Sequence, residues 1–586
     1  MGGACSRKRD HQDDEVALQQ GVASRYSKSG SSKWLATSFS RPAIDIQQGI
    51  GKCPSLMDLC IKKIREDIEK YRTFSELPRD ISQLILNDMV NSQRLSGAIL
   101  EAFRDCAIQD IHLGEYPGVD NSWMGVIASQ GSSLLSLDIS GSEVTDSGLS
   151  HLKECNNIQA LNFNFCDQIS DHGLQHLGGF SSLTSLSFRK NNAITAQGMS
   201  ILSGLVNLVK LDLEKCPHIQ NGLIYLEGLS KLESLNLKYC NSITDSDMKP
   251  LSGLSNLKDL QISCSKVTDI GIAYLKGLHK LSLLNLEGCP ITTACLGSIS
   301  VLTLSSSAAR SSLQYLNLNR CHLTDEGCEK LSELGCLKVL NLGFNDITDA
   351  CLVHLKGLTN LESLNLDSCR IGDGGMANLT GLRRLKFLEL PDTVVGNNGL
   401  HHLSRLTCLE SINLSFTVVT DIGLRKLAGL TSLKSLNLDI RYVTDSGLAV
   451  LTGLTNLTHL DLFGARITDS GTVHLRNFKN LKSLEICGGG LTDAGVKNIK
   501  DLTSLTQLNL SQNCNLTDKT LELISGLTGL VSLNLTNSRI TGSGLRHLTP
   551  LKNLKQLTLE TCKVTPNDIR RLKAADLPNL VSFRPK

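Results

Sequence analysis

The chain has 586 residues, 41% of them hydrophobic but only 4% aromatic, and a formal net charge of +2. So small a charge offers no global field for nucleic acid, and the aliphatic bias means that any core is built from leucine and isoleucine rather than from rings. The 20 cysteines include no C-x-x-C pair and no run of 18 apolar residues occurs, so free thiols in a reducing compartment and no membrane span are expected.

The chain opens with "MGGACSRKRD", which fits the pattern M-G-x-x-x-S, so that Gly2 becomes a myristoylation site once Met1 is removed. One such acyl chain holds a membrane only marginally. Cys5 as a palmitate acceptor, with Arg7, Lys8 and Arg9 drawn to anionic lipid, supplies the second signal. The expectation is the cytoplasmic face of a membrane, the plasma membrane first, with a cytoplasmic or nuclear location for an unlipidated chain. Residues 10 to about 50 are rich in serine and lysine, as in "SRYSKSGSSKW", and residues 1–50 together read as a disordered tether.

Residues 51–105 form the next segment. "PSLMDLCIKKIREDIEKY" predicts a helix capped by Ser55, with Asp58 three residues on. Leu56, Cys60, Ile64 and Ile68 recur every four residues, and Ile61 and Tyr71 widen the stripe. "FSELPRDISQLILNDMV" begins a second helix with Pro78 in its first turn. Such a module could cap the remainder of the chain, or it could dock an adaptor. Ser55-Leu56-x-x-x-Cys60-x-x-x-Ile64 resembles the BC-box by which cullin-ligase receptors hold elongin C. Leu77-Pro78-x-x-Ile81-x-x-x-Ile85 resembles the cullin box found after it, and the same "LPRDI" resembles the start of an F-box. In both families an apolar helix face enters an adaptor groove. The resemblance therefore implies either elongin C or the F-box-binding adaptor as a partner. The second half of an F-box normally brings a tryptophan; "NSQRLSGAILEAFRDCAIQDI" has none, which leaves the choice open.

From about residue 106 onward one unit is copied along the chain. Eighteen Leu-x-Leu steps run from Leu137-Asp138-Ile139 to Leu557-Thr558-Leu559, 24 or 25 residues apart except for one step of 32. A degenerate copy lies at Ile111-His112-Leu113. The period is that of a leucine-rich repeat. Leu-x-Leu makes a short strand with both leucines on one face. The threonines before Asp146, Asp245, Asp445 and Asp469 can cap the next element, and "GLxxLxxL" supplies the opposite wall at helical spacing. One unit cannot bury its own leucines, so neighbours must stack. The expected fold is an α/β solenoid over residues 106–586, with a curved parallel sheet inside and helices outside. Five residues after each first leucine comes a ladder position holding Cys166, Cys216, Cys240, Cys289, Cys321, Cys369 and Cys562, or a similar small donor such as Asn345. These units are similar to the cysteine-containing repeats of F-box/LRR proteins, and most of all to plant F-box-like LRR proteins.

No nucleophile elbow, phosphate loop or His-Glu-x-x-His motif is present, so the chain reads as non-enzymatic, with no cofactor or metal assigned. The inner face is the natural surface for a protein target. Arg189, Lys190, Lys215 and Lys238, with Glu214 among them, suit an acidic or phosphorylated segment. Phe165, Tyr239, Phe344 and Phe416 place aromatic anchors at the sheet's edge. The ladder chemistry lapses at Arg441, Ala465 and Gly489, and the long step adds "TLSSSAARSS", Thr303 to Ser312, as a flexible surface loop. The resemblance implies the substrate-recognition subunit of a cullin-type, SCF-like ubiquitin ligase. The alternative is a membrane-tethered repeat scaffold in signalling, whose front helices only cap the array.

Overall fold

The computed structural model of the protein describes residues 55–302, 313–488 and 490–584. Gly2, Cys5, the basic triplet, the tether, the Thr303–Ser312 loop and Gly489 lie outside the described residues. Among those described, no helix is long and apolar enough to cross a membrane. The chain divides into two units after Glu66.

The described part of the first unit is helix α1, Leu56–Glu66. Its start is a reciprocal capping box. The Ser55 hydroxyl accepts from the Asp58 N–H at 3.1 Å, and the Asp58 carboxylate accepts from the Ser55 N–H at 2.9 Å and from its hydroxyl at 2.7 Å. These bonds to Ser55 hold the Asp58 carboxyl below its usual range.

The second unit begins with helix α2, Arg79–Asn91. Pro78 is its N-cap in extended geometry rather than a member of its first turn, because a proline with ψ 137° has already left helical space. Ser82, Ile85, Leu86 and Met89 are buried on one side of α2, and nearby Phe74 and Phe103 stack with centroids 4.9 Å apart. The Gln83 side chain reaches the strand β1, Asp110–His112. Its amide donates to the Asp110 carbonyl at 2.6 Å, and its carbonyl accepts the Gln109 and Asp110 N–H groups at 3.1 Å each. A bare edge strand invites unwanted pairing. Gln83 occupies that edge, so α2 caps the array.

Among the described residues the sheet has 20 strands, each pairing in parallel with the next in the chain. Equivalent residues stand opposite one another, as in Leu340–Leu364 and Leu364–Leu388. The degenerate copy forms β1. A last strand at Ser582–Arg584, pairing with Gln556–Thr558, escaped the sequence pattern because it lacks Leu-x-Leu. Strands stack at about 4.8 Å while the outer wall needs more room per repeat, which makes the strand side the inner, concave one.

The outer wall departs from the expected helices. Its α-helical pieces are short, and many segments are 3₁₀, such as Gly198–Gly204, Gly471–Asn477 and Gly542–Leu548. Around the 3₁₀ turn Ser150–Glu154, Leu149, Leu152 and Cys155 are all buried and stand three residues apart. Spacing by three is the period of a 3₁₀ turn, whose i and i+3 side chains eclipse. A repeat of 24 residues has room for little more.

Two hydrogen-bond ladders tie the repeats together. The ladder cysteines are buried, and each thiol donates to a backbone carbonyl of the preceding repeat: Cys240 to Leu213 at 3.1 Å, Cys321 to Leu286 at 3.1 Å, Cys369 to Leu342 at 3.2 Å. Burial pushes the Cys240 thiol up to about 12, which keeps it protonated and a donor. All described cysteines are free. The second ladder is absent from the sequence-based expectations. The aspartate after a helix-capping residue accepts from the capping residue of the next repeat, as Asp421 does from the Thr444 N–H at 2.8 Å and hydroxyl at 2.6 Å, Asp469 from Thr492 at 2.9 and 2.6 Å, and Asp349 from the Gly372 N–H at 2.7 Å. The glycine of "TDxGL" makes room for it: a Cβ on Gly447 would overlap the Asp421 carboxylate.

Candidate protein-interaction face

On the concave side the leucines of each strand point inward and the residues between and after them face out. Two residues past the second leucine the backbone enters the left-handed region, at φ 59° for Phe165, 52° for Lys190, 61° for Lys215, 59° for Tyr239, 57° for Phe344 and 58° for Phe416. Bulky residues rarely adopt this conformation. Here it is held by a bond to the next repeat: the Phe165 N–H donates to the Arg189 carbonyl at 2.8 Å and the Phe416 N–H to the Asp439 carbonyl at 3.0 Å. The four aromatics and two of the lysines therefore occupy one line along the rim. Cations lie over three of the rings, Lys190 over Phe165 at 5.6 Å, Lys215 over Tyr239 at 5.2 Å and Arg320 over Phe344 at 4.5 Å. Arg320 is not among the residues the sequence singles out, although it occupies the same register position at φ 56°.

The basic cluster is not a free anion site. Arg189 pairs with Asp212 at 2.7 Å and with Glu214 at 3.5 Å. Burial raises the proton affinity of Asp212 and the Arg189 charge pulls it back. Burial lowers the Lys238 ammonium, against the opposing pull of Glu214, Asp259 and Glu287. An acidic guest would have to displace these carboxylates from Arg189. Lys190 and Lys215 remain exposed on the rim.

Farther along, desolvation acts on two carboxylates. Glu389 is half-buried and pushed up to about 7 by desolvation, and Asp439 is pushed up to about 6 by desolvation against the Arg441 charge. At the ladder lapse Arg441 turns out to solvent, and Ile440, 2% exposed, fills the space instead. In the next repeat Ala465 is buried and offers no side-chain donor.

The proposed adaptor residues separate by exposure. In the first unit Leu56 is 79% exposed, Ser55 and Cys60 are exposed and Ile64 is half-buried. In the second unit Pro78 is exposed, and Leu77 and Ile81 are half-buried. Ile85 is fully buried in the cap, so its assignment as an adaptor contact is corrected: its side chain is spent on the core.

With this geometry in view, the comparisons with known proteins name the family. A leucine rich repeat model matches residues 230–291 and 479–540. A second such model matches residues 132–153, 154–178, 311–332, 336–352, 357–379, 405–428 and 453–473. The chain is a leucine-rich repeat protein, a class that presents surfaces for protein interaction. No curated protein sequence matches it. Among solved structures it is similar to an internalin from Listeria monocytogenes, at 25% identity over 58% of this chain and 88% of that one, TM-score 0.39. It is also similar to a Leptospira interrogans LRR protein, at 21% identity over 76% and 94%, TM-score 0.39. The Arabidopsis receptor kinase HAESA, solved with a peptide hormone and a co-receptor, aligns at 16% identity over 82% and 91%, TM-score 0.41.

Proposed function

We propose that this chain is a non-enzymatic substrate receptor of a cullin-type ubiquitin ligase, with α1 engaging the adaptor and the concave face choosing the target. The observation that carries the reading is the state of α1. Leu56 is 79%, Leu59 48% and Met57 42% exposed, and Cys60 stands beside them in solvent. An apolar helix face left in water is what a helix-in-groove partner covers. Leu56 and Cys60 are also residues of the BC-box resemblance, whose Ile64 is half-buried. The adaptor is elongin C or the F-box-binding adaptor, and full-length protein should capture one of them from purified components. Leu56→Arg should abolish capture without changing the denaturation midpoint. Capture that survives Leu56→Arg, or no capture of either adaptor, removes the ligase reading.

The second reading is a membrane-tethered scaffold, and the Gln83 clamp on β1 favours it, since that clamp gives α2 a sufficient role as a cap. Membrane attachment through Gly2 and Cys5 belongs to both readings. Gly2→Ala should move the protein from the membrane to the soluble fraction; unchanged fractionation removes the anchor.

A further inference from the structure

One register position sets three consecutive repeats apart from their neighbours. Six residues after the first strand leucine the chain crosses the rim, and Arg370, Val394, Val418 and Arg466 there donate their N–H to the repeat before, to Ile347 at 3.0 Å, Ile371 at 3.0 Å, Val395 at 3.2 Å and Val443 at 2.8 Å; Tyr442 shares the position in the repeat where the ladder lapses. Flanking and distant repeats carry Asp346, Arg370, Arg466, Lys266, Arg539 and Lys563 there. Three repeats in succession carry Val394, Val418 and Tyr442 instead, exposed by 64%, 51% and 58%. Phe416, 62% exposed, stands on the neighbouring rim line in the repeat of Val418.

A second departure falls in the same place. The helix cap is Gly372 in the repeat before Val394 and Gly396 in the repeat before Val418, whereas Thr348, Thr420 and Thr444 cap the repeats on either side. Val394 Cγ2 and Val418 Cγ2 lie 3.6 and 3.5 Å from the points where those missing side chains would begin. The Asp349 and Asp373 carboxylates reach the same points, at 3.6 and 3.4 Å, and border the strip with negative charge. Scattered exposed hydrophobics are ordinary, but apolar residues recurring over three successive repeats where other repeats carry charges are the mark of an interaction surface.

The charge around the row chooses its occupant. Asp392 is exposed at the position equivalent to Phe416, one repeat earlier. The Asp439 backbone is bonded to Phe416, and Glu389 faces out from the strand of the Val394 repeat. Of the cations, Arg370 is paired with Asp346 at 2.9 Å, Arg441 lies beside Asp439, and Arg466 is exposed at the end of the row, one repeat after Tyr442.

We propose that Val394, Phe416, Val418 and Tyr442 form a docking strip for a basic protein segment carrying a large apolar side chain, with Asp392, Asp439 and Glu389 receiving its lysines or arginines. This rests on the reading that the repeat face recognises a protein target, and it names the chemistry of that target. The apolar row supplies affinity, and the carboxylates supply orientation and exclude acidic partners.

The test uses full-length protein and a short fluorescein-labelled peptide of alternating lysine and leucine, followed by anisotropy. Saturable binding is expected, weakened by about tenfold or more when Val394→Asn, Val418→Asn and Tyr442→Asn are combined. Asp392→Asn with Asp439→Asn should weaken it by about threefold and flatten its salt dependence. Ile270→Asn removes a side chain that is 66% exposed in another repeat and should change nothing. Equal binding to wild type and the triple variant overturns the proposal, as does equal binding of a glutamate–leucine peptide. Self-association of the chain that the triple variant abolishes overturns it too, since the occupant is then a second copy. Adaptor capture through Leu56, measured on the same preparations, reports separately on the ligase reading.

Discussion

Two stretches of the concave face are built on the same repeat and handle charge in opposite ways. Around Arg189, Asp212, Glu214 and Lys238 the chain answers each charge from within, so a side chain that looks like an anion receptor is already engaged. Around Glu389, Asp392 and Asp439, desolvation makes two of the carboxylates hold their protons to unusually high pH, and an apolar row lies beside them. The difference teaches that in a solenoid the strongest charges in the sequence need not mark the binding surface. Satisfied charges fix local structure, whereas a surface kept for a visitor is left incomplete.

The largest effect expected from testing this contrast is at Arg189. Arg189→Met strands the Asp212 carboxylate, whose side chain is only 3% exposed, and should cost about 3 kcal/mol in chemical denaturation. Equal stability would mean that the pair is not the anchor of the first stretch. Gly447→Ala attacks the aspartate ladder common to both stretches and should cost about 2 kcal/mol, with the loss of amide protection centred on the Thr444 repeat.

Glu389 sharpens the comparison through pH. In the folded chain its proton is held to about pH 7, and in the unfolded chain it is released near 4.5. The unfolded state therefore binds fewer protons between these values, and stability falls as pH rises through that window. Glu389→Gln should relieve this, gaining roughly 1–2 kcal/mol at pH 8 and nothing at pH 4, as read from denaturation midpoints. The smallest effect is expected on the strip itself. Val418→Asn should change stability by no more than about 0.5 kcal/mol while weakening peptide binding, because the side chain is spent on nothing inside the protein.

Much of the fold is legible in the sequence. The Leu-x-Leu period places the sheet and all but the last strand, the Ser55–Asp58 box forms as its spacing predicts, and the ladder cysteines bond the neighbouring repeat as their size and donor capacity imply. These follow from local periodicity and from short-range hydrogen-bond chemistry, which a linear pattern records directly. The 3₁₀ wall is legible too, in leucines three apart, although "GLxxLxxL" taken alone suggests ordinary helix. The aspartate ladder is hidden because each of its bonds joins residues 23 or 24 positions apart.

What the chain's linear order determined is the repeat, its handed-on core and the candidate residues along its inner rim. Which of those candidates are open was decided only on stacking. Ile85 vanished into the cap, Arg189 closed on Asp212, and Val394, Val418 and Tyr442 came into line as an exposed row. The physical reason is that burial and pairing belong to neighbours one full repeat away, and no pattern within a single repeat carries that information.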